Sequence, residues 1–335
     1  MSAKPRISNL RGRAMTLRIV LQVLLGSMLC STSTLLADTF NFTPIIVPGS
    51  TVVQAWGINA SGEIVGDYTD GGGNQHGFVD ILGSISTLDV PGSTLTNADG
   101  VNAAGQIVGI YRDANDVYHG FLYSGGTFTT LDFPGAQLTG ARDINASGQI
   151  VGGYQITAGV DTHGFLYDGS TFKPLDYPGA SYTNASGVNS QGEIVGNCLA
   201  GPCGGTYPPG GVDMSNVGFI YIGGQFNTLP FQADGINDSG TIAGLYWWNS
   251  SATGLLDQGG VITNDWQFPG ATDTFFNQIN NSGDIVGNYR NSDGIDHGFL
   301  ATPVTTPEPG SGSLTLLALG SASLVFWRRR SRLTP

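Results

Sequence analysis

DINASGQIVGGYQITAGVDTHGFLYDGSTFKPLDYPGA, from Asp143 to Ala180, is one whole copy of a repeat that can be laid down six times between Val52 and the C-terminal tail. It opens on a tight turn, Asn145-Ala146-Ser147-Gly148. The Asn side chain can hydrogen-bond its own backbone, and the Gly tolerates the positive φ that a bulged type I hairpin demands. Counterparts begin at Asn59, Asn102, Asn189, Asn237 and Asn280, each with Gly three positions on. Their spacing of 43 to 48 residues matches the roughly 40–45 residues of a four-stranded propeller blade.

After the turn comes Ile150-Val151-Gly152, echoed at Ile64-Val65-Gly66, Ile107-Val108-Gly109, Ile194-Val195-Gly196, Ile242-Ala243-Gly244 and Ile285-Val286-Gly287. Adjacent apolar residues face opposite sides of a strand, so both sides of this one must be covered, as they are when blades stack. The repeated Gly is expected to let the neighbouring sheet approach closely. A third strand opens on His163-Gly164-Phe165, and a fourth, carrying Lys173 and Pro174, suits an exposed edge.

The expected fold is therefore an all-β, six-bladed β-propeller of four-stranded blades. Asn41 to Ser50 reads as an outer strand with no blade before it, and the sixth repeat stops after His297-Gly298-Phe299-Leu300 without an outer strand of its own. The N-terminal strand is expected to complete the last blade and so remove the open edges. Two tandem β-trefoils fit the repeat number but predict no such offset, and they predict a linker near Thr183 to Asn189 where the sequence has none.

Three domains follow: a signal peptide over 1–37, the propeller over 38–303 and a tail over 304–335. Lys4, Arg6, Arg11, Arg13 and Arg18 precede an apolar run from Ile19 to Leu29, with cleavage expected between Ala37 and Asp38. A lipoprotein reading of Cys30 is disfavoured by the bulky Leu29 before it. In the tail, Thr306-Pro307-Glu308-Pro309 leads to a Gly/Ser spacer, an apolar run from Leu314 to Trp327 and then Arg328-Arg329-Arg330. That run is marginal as a spanning helix, and its basic end would stay cytoplasmic.

The order Pro-Glu-Pro, apolar stretch, basic cluster resembles the PEP-CTERM sorting signal of Gram-negative bacteria. The resemblance implies export, a membrane-held intermediate, and processing at Pro307, Glu308 and Pro309 by an exosortase in species that make exopolysaccharide. The body, with Asn-x-x-Gly-x-Ile-Val-Gly followed by His-Gly-Phe-Leu-Tyr, resembles the HAF family of extracellular repeats. That family usually has His-Ala-Phe in its third strand; Gly stands in the middle here, and Val217 and Thr253 replace the His in repeats four and five. The HAF resemblance brings no defined activity with it.

Net charge is −12, and the imbalance is steeper in the body. Between Asp38 and Thr306 the basic residues are Arg112, Arg142, Lys173 and Arg290, against every acid of the chain except Glu308. Such a surface repels nucleic acid. No cofactor is expected, and Ca²⁺ is the one ion weighed, at Asp113, Asn115 and Asp116 and at Asn291, Asp293 and Asp296. Neither loop has a full calcium ligand set. Cys198 and Cys203, on a swollen loop, are expected to form a disulfide in an exported protein. Trp247, Trp248 and Trp266 are expected to fill gaps between blades.

The four histidines, His76, His119, His163 and His297, hold the same place in different repeats, so they diverge around a ring and serve no common centre. Glu63 and Glu193 follow the turn Gly and are not placed as an acid/base pair, and no sialidase-type Asp box is present. Three residues before each turn Asn the series is Trp56, Asp99, Arg142, Ser186, Asp234 and Asn277. If the first strand lines the central channel, these six ring its wall and are the candidate ligand residues. The expected protein is a secreted, monomeric, non-enzymatic binding or structural module at the cell surface. Exopolysaccharide is the first partner to test; the rivals are a passive surface protein and a lyase or hydrolase working in the channel.

Overall fold

A computed structural model describes residues 39–157, 161–199, 216–248 and 251–304, all of them strand, turn and loop, with no helix among them. The signal peptide with Ala37 and Asp38, the processing residues Pro307, Glu308 and Pro309, the apolar tail helix and Cys203 lie outside the described residues.

A lone strand, β1 (Phe40–Pro44), precedes repeated antiparallel meanders. The first is β2 (Ser50–Ile58), β3 (Glu63–Asp70), β4 (Gln75–Ile81) and β5 (Ser84–Leu88); the second is β6 (Leu95–Val101), β7 (Ile107–Arg112), β8 (Tyr118–Ser124) and β9 (Thr127–Leu131). The third is β10 (Leu138–Ile144), β11 (Ile150–Gln155), β12 (His163–Tyr167) and β13 (Phe172–Pro174); the fourth is β14 (Tyr182–Val188), β15 (Ile194–Leu199), β16 (Asn216–Ile222) and β17 (Gln225–Leu229). The fifth is β18 (Gln232–Ile236), β19 (Thr241–Trp248), β20 (Ser251–Gln258) and β21 (Val261–Trp266). The last repeat has β22 (Asp273–Ile279), β23 (Ile285–Arg290) and β24 (Asp296–Pro303), and β1 is its fourth strand, with Phe40 paired to Pro303 and Pro44 to Phe299.

The architecture is all-β and propeller-like, but the expectation of six separate blades needs correction. Four sheets of four strands stand alone, whereas the first two repeats form a single eight-stranded sheet. The join is one parallel pair, Gln75 of β4 with Leu95 of β6. Each first strand begins close beside the preceding third strand, and at this junction the approach is close enough to become a ladder. Between repeats three and four it survives as an isolated bridge, Thr162 with Tyr182.

The core lies between successive sheets. Val65 of the first repeat packs with Ala98, Val101, Ile107 and Phe121 of the second, and Val286 of the last packs with Val53, Ile58, Ile64 and Phe78 of the first. Both faces of the Ile-Val strand are thus covered, as its composition requires. Buried threonines tie these layers together: Thr96, Thr139, Thr183 and Thr274 accept the backbone N–H of Val90, Phe133, Tyr177 and Phe268 at 3.1, 3.0, 3.0 and 2.9 Å. Those N–H groups belong to the residue before each Pro-Gly or the equivalent turn, which links the outer strand of one repeat to the inner strand of the next. Between the fifth and sixth sheets, Phe40 of β1 meets Trp266 of β21 edge-on at 5.0 Å, so this Trp fills a gap as expected.

The Gly of Ile-Val-Gly has a different reason from the expected one. A Cβ on Gly66 would overlap the Gln54 carbonyl oxygen and the Phe78 ring, and one on Gly109 the Asn97 carbonyl and Phe121. The space is taken by the same sheet's first strand and third-strand Phe, not by the neighbouring sheet. Val304 N–H donates to the Thr39 carbonyl at 2.7 Å, so both ends of the described body sit together. Ala301 is level with Ile285, and Ile285 with Ile279, which places those ends on the side of the Asn turns.

Candidate functional site

Every first strand carries a bulge at the same place. Its pairing skips one residue between Ala55 and Gly57, Ala98 and Gly100, and Ala141 and Asp143. The same happens between Ala185 and Gly187, Ala233 and Gly235, and Phe276 and Gln278. The skipped residues are Trp56, Asp99, Arg142, Ser186, Asp234 and Asn277, the six that vary among repeats. A bulge leaves one residue outside the ladder and re-aims its side chain. All six of these line one cavity of about 270 Å³, joined by Tyr182, Asn184 and Asn197.

The cavity is polar and charged. Arg142 Nη1 lies 3.0 Å from Asp99 Oδ2, and burial of Asp99 pushes its carboxyl up to about 7 despite that guanidinium. Asp99 Oδ1 is buried and has no hydrogen-bond partner among the described residues. Asp234 accepts from Asn197 Nδ2 at 2.9 Å and is pushed by burial to about 6. Trp56 is pinned by its indole N–H to Asp67 at 2.6 Å, and Asp67, also raised to about 6 by burial, accepts a second bond from Gln75 at 2.8 Å. Asn277 donates to the Ala55 carbonyl at 2.7 Å across the seam between last and first repeats.

Beneath this cavity the channel is crossed by a polar link. The residue after the bulge is Gly57, Gly100, Gly187 and Gly235 in four repeats but Asp143 and Gln278 in the third and sixth. Gln278 Nε2 donates to Asp143 Oδ2 at 3.0 Å, and Asp143 also accepts from the N–H groups of Ile144 and Val188, both at 2.8 Å. Both side chains are buried, and burial moves Asp143 to about 6. The glycines give way to them: a Cβ on Gly100 would stand 2.7 Å from Asp143 Cα, and one on Gly235 2.7 Å from Gln278 Cα.

On the far side of that link the turn asparagines form a closed cycle. Each Nδ2 donates to the carbonyl oxygen of the next: Asn59 to Asn102 at 3.0 Å, Asn102 to Asn145 at 3.1 Å and Asn145 to Asn189 at 3.0 Å. The cycle continues from Asn189 to Asn237 at 3.3 Å, Asn237 to Asn280 at 3.1 Å and Asn280 to Asn59 at 3.1 Å. Sequence reasoning saw only the turn, which Asp would serve as well. The signal lay in the absence of Asp at all six places, because Asp has no N–H to donate.

The histidines stay apart. His76, His119 and His163 stack on Tyr68, Tyr111 and Tyr154, and each hydrogen-bonds an Asp just beyond the outer strand, Asp89, Asp132 and Asp176, at 2.8, 2.9 and 3.1 Å. His297 stacks on Tyr289 alike.

The candidate calcium loops are not brought together as ligand sets. Asp113 Oδ1 accepts the N–H groups of Asn115 and Val117, and Asp116 pairs with Arg112 at 3.4 Å. In the other loop, which also contains Asn291, Asp293 caps Ile295 N–H and Asp296 is held by Arg290 at 2.8 Å. Among the described residues no group of three His, Cys, Asp or Glu is placed to hold a metal ion. Cys198 is buried and disulfide-bonded.

The PEP-CTERM protein-sorting motif matches residues 305–330. The motif marks an exported surface protein that is processed by an exosortase-type enzyme. No curated protein matches the chain. Among solved structures, a gluconolactonase from Xanthomonas campestris is 13% identical, with 81% of this chain and 93% of that one covered at a TM-score of 0.48. The Aleuria aurantia lectin in complex with Fucα1-6GlcNAc is 13% identical, with 80% and 100% covered at 0.46. TolB from Acinetobacter baumannii is 12% identical, with 79% and 55% covered at 0.43. Likenesses at this level say nothing about ligand or activity.

Proposed function

We propose that this chain is a non-enzymatic binding module of the cell surface, and that its channel cavity takes a saccharide of the surrounding exopolysaccharide. Six bulges delivering side chains of five kinds to one cavity is the observation that carries the reading. A repeat built for packing alone has no use for Trp, Asp, Arg, Ser, Asp and Asn at one equivalent position. The aromatic faces of Trp56 and Tyr182 suit a sugar ring, and the carboxyl, guanidinium and amide groups suit its hydroxyls. The unpartnered Asp99 Oδ1 would be satisfied by a ligand hydroxyl. A volume of about 270 Å³ lies just under the usual range of roughly 300–1,000 Å³ for ligand sites, which fits a single ring.

In this reading β2–β5 and β6–β9 work as two blades in spite of their shared sheet, giving six around the channel, and the protein acts as a monomer without a metal cofactor. The cavity opens toward the starts of the first strands, opposite Thr39 and Val304, so a C-terminal anchor holds its mouth outward. A second reading, a lyase or hydrolase, draws on the two raised carboxyls, Asp99 and Asp234, in one cavity.

Screening the full mature protein on a glycan array, then titrating Trp56→Ala and Arg142→Ala with the best ligand, tests the proposal. Binding that weakens at least tenfold in both variants supports it. Retention of affinity by both, or no glycan bound by the wild type, overturns it; release of product from bound glycans selects the catalytic reading.

A further inference from the structure

A second cavity of about 290 Å³ adjoins the first and shares Arg142, Tyr182 and Asn184 with it. Its walls are formed where the third repeat lacks side chains that the others have. Two residues before the bulge the repeats carry Gln54, Asn97, Gly140, Asn184, Gln232 and Phe275. After Ile-Val-Gly and its variant they carry Asp67, Ile110, Gly153, Asn197, Leu245 and Asn288. Glycine stands at both positions in the third repeat alone.

In the first, fourth and sixth repeats the second of these positions is committed to structural hydrogen bonds, and in the second and fifth it is filled by Ile110 and Leu245. Asn197 accepts from Ala233 N–H at 3.0 Å, Asn288 from Ala55 N–H at 2.9 Å, and Asp67 holds Trp56. Gly153 makes no such side-chain bond, and Gly140 and Gly153 both line the adjoining cavity. Tyr118 lies in its wall and Tyr182 between the two lobes, so each lobe has an aromatic residue beside Arg142.

We infer that the site takes a chain of at least two sugar rings, one in the channel lobe and the next in the lobe opened by Gly140 and Gly153, with Arg142 between them. The inference rests on the saccharide reading above and adds ligand length to it. The two volumes are of similar size, so a ligand confined to one lobe leaves about half of the cleft in water. An extended polysaccharide strand enters from the lobe that only this repeat opens.

The test compares glucose with cellotetraose, mannose with mannotetraose and galactose with galactotetraose, measured by calorimetry on the full mature protein. Gly140→Asn installs the residue that the second and fourth repeats carry. A Cβ there meets the Ile110 terminal methyl at 3.3 Å, the far end of a flexible side chain. The wild type is expected to bind one tetrasaccharide at least tenfold more tightly than its monosaccharide. Gly140→Asn is expected to bring that ratio to about one while the monosaccharide Kd moves less than twofold. Gly140→Ala, a smaller intrusion, is expected to reduce the ratio partway and serves if the Asn variant does not fold. A wild-type ratio near one, or a ratio unchanged in folded variants, overturns the inference and leaves the saccharide site standing. Failure of the wild type to bind any of the six sugars counts against the inference, and the glycan array then shows whether the site reading falls with it.

Discussion

The side-chain amide of Asn280 donates to the carbonyl oxygen of Asn59, 3.1 Å away and 221 residues earlier in the chain. It is the sixth link of a cycle whose other five join consecutive repeats, so it exists only if the chain comes full circle. Asn280 Oδ1 meanwhile accepts the N–H groups of Ser282 and Asp284, both at 2.9 Å. Asn280→Asp keeps this turn and removes the donor. The Asn59 carbonyl then keeps only the turn bond from Gly62 N–H at 3.1 Å and faces a carboxylate across the ring, at a cost of about 0.5–1.5 kcal/mol for the lost hydrogen bond. A urea midpoint lowered accordingly, with an unchanged m-value, is the expected result; no change would show that the cycle adds nothing to closure.

The link between Asp143 and Gln278 makes a second prediction. Gln278→Ala removes one of three donors to a buried carboxyl and opens the floor of the channel. Loss of about 1–3 kcal/mol in denaturant melts is expected, and Gln278→Asn, too short to reach across, should not restore it.

Acid should stabilise this protein down to about pH 4–5. Burial pushes Asp67, Asp143 and Asp234 to about 6 and Asp99 to about 7, from an ordinary value of 3.8. Between about pH 4 and pH 7 the folded chain holds protons that the unfolded chain has released, so stability falls as pH rises through that window. His76, raised chiefly by its hydrogen bond to Asp89, acts in the same direction. Asp70 and Asp113, held low chiefly by hydrogen bonds from Asn74 and Val117, act with the opposite sign and only at lower pH. Thermal melts should therefore show a Tm several degrees higher at pH 5 than at pH 8, and Asp234→Asn should flatten that difference.

Orientation at the surface is open to labelling. Ala114, exposed in the turn between β7 and β8, lies on the cavity side, and Ala146, exposed in the turn after β10, lies on the side where Thr39 and Val304 meet. On intact cells Ala114→Cys should react with a bulky maleimide several times faster than Ala146→Cys. Equal rates would show that anchoring does not set which face is outward.

Much of this was written in local pattern. The turn sequence at Asn145, the two-sided Ile-Val strand and the spare strand at Phe40 dictate the meander, its spacing and its closure, because turn chemistry and strand burial are decided within a few residues. The six varying positions were legible for the same reason. Their gathering into one cavity was not, since it depends on a bulge whose skipped residue is known only once strands are in register.

The sequence by itself determined the repeat, the strand count, the stacking of apolar faces and the surface address in the tail. Tertiary structure alone decided what meets across the ring: Asn280 with Asn59, Gln278 with Asp143, and the joining of Gln75 to Leu95 that merges two expected blades into one sheet. Those pairs come from strands whose separation is set by how repeats lean together, and no periodicity along a chain encodes a distance across its axis.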